Sequence, residues 1–276
     1  MIEKSETWSG GFSASSTVVD LTLLLAEELP GTWPGHMPYQ HKTFSYFEEG
    51  GSDEAHVVSR CGDYQTRWLL IDEHTGTHVD APAHFVPKTE TGLPGAGDAG
   101  SITVDKVPLK QTMGPAVVID VSALTTTPVP DGQSPLIEVG HIRDFEAEHG
   151  PLQPGDIVLF RSRWDTDRYV SGSAGNAYAH DVIMLGRGPG WPAPSTQTIE
   201  YLLERGVRCI GTDGVSMGPS ESGRAVHVAG LGNGAVFIEA LTNLAELPVR
   251  GSFFLFAPLR VARGTGAPGR ALAFLP

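Results

Sequence analysis

Glu73-His74-Thr75-Gly76-Thr77-His78-Val79-Asp80-Ala81-Pro82-Ala83-His84-Phe85 packs three histidines and an aspartate into the eleven residues from His74 to His84. Two imidazoles and a carboxylate, from His74, His78 and Asp80, form the donor set that holds a catalytic divalent cation while leaving a coordination position open. His84 follows at a distance that suits proton transfer beside such an ion. An extended strand would put His74 and His78 about 13 Å apart, too far to share one ion at about 2 Å per bond. A helical turn brings side chains at i and i+4 to about 5–6 Å at Cβ. Thr75, Gly76 and Thr77 are poor helix formers, and Pro82 disfavours continuing a helix. The spacing therefore predicts one short coiled turn over residues 74–80, at the end of a preceding strand, with His84 just beyond it. Any one of these histidines could be an ordinary loop residue, but four donors with no lysine or arginine among them read as a metal site. Structural zinc sites usually close with cysteines, and Cys61 and Cys209 are both remote from the cluster, so a catalytic ion is favoured.

Outward from this segment the chain alternates strands and helices. Val18 to Leu25 reads as a strand running into a short helical turn, and Trp33-Pro34-Gly35-His36 as an aromatic loop. Tyr64 to Ile71 has strand character and delivers the chain into the histidines. Val117–Val121 and Ile157–Phe160 are short buried strands by their apolar runs. Val139 to His149 and Ser195 to Arg205 read as helices, the second with Ser195 as N-cap and Gly206 as its stop. Val207–Ile210 returns as a strand. Phe253–Val261 and Arg270–Leu275 pair as a hairpin across Gly264-Thr265-Gly266. Strand–helix alternation argues for an α/β fold. With no repeat and no dividing linker, one domain over 18–276 follows, preceded by an arm over 1–17.

Composition narrows the function classes. The 276 residues carry a net charge of −13, which gives no electrostatic footprint for nucleic acid or an anionic membrane. No apolar run approaches the roughly 18 residues of a membrane span, and the N-terminus lacks a signal-peptide pattern. Two cysteines are too few for a disulfide framework. A cytoplasmic enzyme with a small-molecule substrate is the expectation.

The run from His74 to Phe85 resembles the HxGTHxDxPxHF signature of the cyclase family, matching it at each signature position. That family includes bacterial kynurenine formamidases, isatin hydrolases and related lactone-opening enzymes. The likeness extends from about residue 18 to the end, through Gly155-Asp156-Ile157-Val158-Leu159-Phe160-Arg161, Cys209-Ile210-Gly211-Thr212-Asp213 and Gly264-Thr265-Gly266-Ala267-Pro268-Gly269-Arg270. The resemblance implies a swivelling β/β/α fold with a mixed, barrel-like central sheet flanked by helices. It also implies homodimers or homotetramers with sites near subunit boundaries. In dinuclear members a downstream histidine and a glutamate twelve positions later complete the site. His227 and Glu239 stand at that spacing, so the resemblance adds them to His74, His78 and Asp80, with zinc or manganese as the ion and one or two ions per subunit.

The implied activity is hydrolysis of an aryl formamide or isatin-like lactam, in which a divalent cation furnishes hydroxide at neutral pH and His84 shuttles the proton. Hydrolysis of a lactone or enol-lactone, and a non-hydrolytic cyclase or dehydratase reaction, are the alternatives. Trp33 and Trp68 are candidates to contact a flat substrate ring, against ordinary core packing. Arg161 and Arg163 could grip a substrate carboxylate or pair with acidic residues. Asp213 and Ser216 could line the cavity or end a strand.

Overall fold

The computed structural model describes residues 17–47 and 64–275. The N-terminal arm expected over 1–17 lies outside these residues except for Thr17, whose carbonyl accepts from the Leu275 amide at 2.9 Å. Twelve strands are described: β1 (Val18–Asp20), β2 (Gln40–Ser45), β3 (Thr66–Leu70), β4 (His78–Asp80), β5 (Met113–Asp120), β6 (Leu136–Ile137), β7 (Ile157–Arg161), β8 (Ala193–Pro194), β9 (Cys209–Thr212), β10 (Val236–Glu239), β11 (Phe253–Pro258) and β12 (Gly266–Phe274). The α-helices are α1 (Val139–His149), α2 (Trp164–Arg168), α3 (His180–Leu185), α4 (Thr196–Glu204) and α5 (Arg224–Leu231).

The main sheet runs β1-β12-β11-β5-β7-β9-β10-β4, and β4 also pairs with β12. That last pairing closes seven strands into a ring and leaves β1 attached along β12. The β5-β7-β9-β10 stretch is parallel, and the other pairings of the ring are antiparallel. The mixed, barrel-like sheet implied by the resemblance is present, with helices packed on it.

Strand parity separates two cores. Ala116 and Val118 of β5, Ile157 and Leu159 of β7, and Val236 and Ile238 of β10 join Phe254, Phe256, Ala271 and Ala273 in the barrel interior. The intervening Val117, Ile119, Val158, Phe160, Ile210 and Phe237 face outward and pack against Ile142, Phe145, Ile199, Leu202, Val226 and Leu231 of α1, α4 and α5. The central strands are therefore buried on both faces, which explains their unbroken apolar runs. Each Val, Leu, Ile or Phe side chain among them contributes about 1.5–3 kcal/mol when fully buried.

Several sequence expectations hold closely. Helix α1 spans the expected residues, and the Ser195 hydroxyl caps α4 by accepting from the Thr198 amide. Gly206, at φ +81°, turns the chain out of α4. Strands β11 and β12 pair antiparallel, with Phe253 opposite Phe274 and Pro258 opposite Gly269. The expected strand from Val18 is shorter than predicted. It ends at Asp20, and beyond it Thr22 makes only an isolated bridge to Leu241.

Candidate metal centre

The predicted coiled turn over 74–80 needs correction, because only its first half turns. Residues 74–77 form turns and bends, whereas His78–Asp80 is strand β4. Strand pairing decides the outcome: β4 sits between β10 and β12, so its backbone amides and carbonyls are bonded on both edges. Along a strand alternate side chains share a face. His78 and Asp80 therefore point together to the outer face, while Val79 enters the barrel core. His74 need not be an i, i+4 neighbour, since the turn folds it back over the strand. Gly76, at φ +60°, makes that turn, and its amide donates to the Gly31 carbonyl at 2.6 Å. The Thr77 hydroxyl accepts from the Leu23 amide at 2.9 Å and donates to the Ala240 carbonyl at 2.6 Å.

Glu239 ends β10 directly opposite His78, and Phe237 stands opposite Asp80. Parity places Glu239 on the same outer face. Helix α5 packs over that face and contributes His227 from above. Five donor side chains thus converge. His74 Nδ1 lies 2.9 Å from Asp80 Oδ1, and His78 Nε2 lies 3.5 Å from the same oxygen. His78 Nε2 is 3.4 Å from Glu239 Oε2. His227 Nε2 is 3.4 Å from Asp80 Oδ2 and 3.2 Å from Glu239 Oε1. The donors of His74, Asp80 and His84 lie within 4.8 Å of one another, as do those of His78, Asp80 and Glu239. Asp80 belongs to both groups.

The rings are aimed from behind. His78 Nδ1 and His227 Nδ1 each face a backbone carbonyl, of Gly76 and Gly223 respectively, at 2.8 Å. A carbonyl can only accept, so both rings carry hydrogen on Nδ1 and, when neutral, turn the Nε2 lone pair toward the carboxylates. A lone pair aimed at a carboxylate needs a proton or a cation between them. Among the described residues buried Asp80 Oδ2 has no well-formed hydrogen bond beyond the His227 Nε2 contact at 3.4 Å. These residues fit a divalent cation, with nitrogen and oxygen donors that suit either zinc or manganese.

The ion-free charge pattern follows from the same contacts. Burial opposes charging of His78 and His227, but hydrogen bonds to Asp80 and Glu239 outweigh it and raise both imidazoles to about 10. Burial and the nearby Asp80 charge push Glu239 up, yet its bonds to His227 and His78 prevail and hold it at about 2. Burial also acts against the Asp80 charge, and the surrounding histidines bring its carboxyl well below the usual range. His84 has no such bonds, and burial pushes it down to about 4 against the pull of Asp80. Its ring stacks on His74 with centroids 4.0 Å apart.

A cavity of about 290 Å³ opens over this centre, lined by His74, His78, His84, His227 and Glu239 at one side. Trp33 also lines the cavity, braced edge-on against Trp191 at 6.2 Å. Trp68 is not in the cavity wall. It lies 41% exposed on β3, opposite Lys42 of β2, because among the described residues the β2–β3 ribbon pairs only with itself. Ser216 lines the cavity, but Asp213 is buried behind it and accepts hydrogen bonds from the Ser162 and Arg163 amides. Arg161 pairs with Asp120 at 2.8 Å. Phe85, the last residue of the signature, also lines the cavity, as do Tyr178 and Arg224, which nothing in the sequence had singled out. Arg224 could have been found, since it precedes His227 by three residues on α5 and so shares its helix face.

Comparison with known proteins agrees with this architecture. Residues 19–219 match the model of the family described as "Putative cyclase". An isatin hydrolase of Roseibium aggregatum is 34% identical over 214 residues, covering 76% of this chain and 74% of that protein. A kynurenine formamidase of Erythrobacter litoralis is 27% identical over 254 residues, covering 92% of this chain and 91% of its own length. The structure of isatin hydrolase A from Ralstonia solanacearum superposes with a TM-score of 0.72 at 29% identity, covering 95% of this chain and 92% of that one. The chain belongs to the cyclase family.

Proposed function

We propose that this protein is a metal-dependent hydrolase that opens a non-peptide C–N bond, in an aryl formamide or an isatin-like lactam. The observation that carries the reading is the shared Asp80, which joins two donor triads at the side of an aromatic-walled cavity. The relatives named isatin hydrolase and kynurenine formamidase support the bond type. His74, His78, Asp80, His227 and Glu239 would hold one or two ions, zinc or manganese. A divalent cation there would supply hydroxide at neutral pH and polarise a carbonyl as a Lewis acid.

The remaining steps belong to the chain. Trp33 and Phe85 offer flat apolar surfaces for an aromatic substrate ring, excluding water from the reacting carbonyl. His84, neutral at pH 7, takes the proton of the attacking water and returns it to the leaving nitrogen. Its stacked position against His74 keeps it beside the donors without a hydrogen bond to any of them.

The decisive experiment combines elemental analysis of the purified protein with absorbance assays on formamides, isatins and lactones. Turnover of a formamide or an isatin with stoichiometric zinc or manganese supports the reading, whereas turnover of lactones alone would replace it. We also propose a homodimer or homotetramer. The β2–β3 ribbon exposes Phe44, Trp68 and Leu69, and an isolated two-stranded ribbon is marginal in water. Light scattering after size exclusion tests this, and a monomer at micromolar concentration would refute it.

A further inference from the structure

Gly264-Thr265-Gly266, read from sequence as a connecting turn, does more than join two strands. One oxygen of Glu73, Oε2, accepts from the Thr265 amide at 2.8 Å, the Thr265 hydroxyl at 2.8 Å and the Gly266 amide at 3.2 Å. The same threonine Oγ1 lies 3.4 Å from His74 Nε2. The turn also reaches the metal segment through its backbone, since the Thr265 carbonyl accepts from the Ala81 amide at 2.9 Å. Space here is tight: a Cβ on Gly266 would lie 2.5 Å from His74 Cε1, and one on Gly264 would lie 2.9 Å from Glu73 Oε1. Glycine on both sides lets the threonine hydroxyl sit between the carboxylate and the imidazole.

The direction of this chain of bonds follows from the donor inventory. An ionised carboxylate only accepts, and a hydroxyl has a single hydrogen. The Thr265 hydrogen therefore goes to Glu73, leaving Oγ1 to act as acceptor toward His74. That in turn calls for hydrogen on His74 Nε2. A neutral His74 then presents a bare Nδ1, which faces Asp80 Oδ1 at 2.9 Å. This tautomer is opposite to that of His78 and His227, whose Nδ1 atoms face carbonyls.

From this geometry we infer that Glu73 and Thr265 are positioning residues, which fix His74 as an Nε2–H tautomer and so make Nδ1 its cation-binding nitrogen. The inference rests on the metal reading above and deepens it. Carboxylates that orient a histidine ligand usually act directly. Here a threonine hydroxyl is interposed, so the relay can be cut at the hydroxyl without touching the carboxylate or the imidazole.

The test measures Zn²⁺ affinity by competition with a chromophoric chelator at fixed pH, using the full chain. Thr265→Val, which removes the hydroxyl at nearly constant volume, is expected to weaken Zn²⁺ binding about 10- to 100-fold. Thr265→Ser is expected to stay within about threefold of wild type, the same constant setting the scale. Equal loss in the two variants, or no loss in Thr265→Val, overturns the relay. Nitrogen-15 spectra of the histidine rings in the zinc-loaded wild type give a readout that does not depend on how a variant folds. His74 bound through Nδ1 and protonated at Nε2 supports the inference, and binding through Nε2 overturns it. A wild type that binds no Zn²⁺ or Mn²⁺ would instead sink the metal reading itself.

Discussion

His78 and Glu239 stand directly opposite each other on β4 and β10, with Nε2 and Oε2 3.4 Å apart. Their nearness is a consequence of register. Opposed residues on antiparallel strands project side by side from one face, so residues 161 positions apart meet without any special loop. Glu239→Gln keeps the shape but removes a charge from the triad with His78 and Asp80. The group of His74, Asp80 and His84 is untouched by it. Elemental analysis should show metal content or affinity reduced but not abolished, with turnover lowered at least about tenfold, the usual scale for weakened metal sites. Unchanged metal binding and turnover would remove Glu239 from the centre.

His84 differs from its neighbours in having no polar partner in the cluster. Its expected signature is a split between metal content and rate. His84→Ala should retain metal and lose about 10²- to 10⁴-fold in kcat, the range for a positioned acid–base group. His74→Ala should lose both. Equal metal loss in the two variants would make His84 a ligand, as its place in a donor group with His74 and Asp80 also permits.

Protonation and metal uptake are linked. With His78 and His227 raised to about 10, the ion-free centre carries both protons at pH 7. A cation must displace them, so binding should release up to two protons and tighten as pH rises. Titration calorimetry in buffers of different ionisation enthalpy measures that number. In the ion-free protein the two imidazoles make stability respond to pH in the opposite direction. Two imidazoles with raised folded values stabilise fully below about 6.5 and lose that contribution as pH rises through about 10. Glu239, held at about 2, contributes above about 4.5 and loses its contribution as pH falls toward 2. Metal-free protein should thus be least stable at both extremes, as measured by urea midpoints. A flat profile across that range would contradict the pairing.

The motif was legible because its chemistry is compact: four donor residues over a short span report a cation whatever the local backbone. Its backbone was not. Propensity and spacing can weigh a helical turn against an isolated strand for residues 74–80, but neither reveals that β4 is paired on both edges. A three-residue strand carries no period of its own, and here partners 150 residues or more away define it. Glu239 posed a similar problem. Alone it reads as a surface carboxylate on a helix, yet it is 4% exposed at the end of a buried strand. The longer elements were plain, because α1 and α4 carry caps and facing apolar residues, and β5 and β7 carry unbroken apolar runs. Trp68 shows the opposite limit. Nearness in sequence to the histidines did not bring it to the cavity, because β3 belongs to a separate ribbon.

Gly76 offers a test of how tightly the turn must be held. At φ +60° a non-glycine residue is strained, and a Cβ there would come within 2.5 Å of Leu25 Cδ2. Gly92 has nearly the same backbone, φ +61°, but a methyl group on it would meet nothing within 4 Å, so it serves as the control. The left-handed conformation costs an alanine about 1–2 kcal/mol, worth roughly 2–8 °C in Tm for a chain of this size. Gly92→Ala should lose that much and keep its metal affinity. Gly76→Ala should lose more, because Leu25 must move, and should also weaken metal binding, since the Gly76 carbonyl orients His78. Equal Tm losses and intact metal affinity in both variants would mean that the turn tolerates displacement and that His78 is aimed by strand pairing alone.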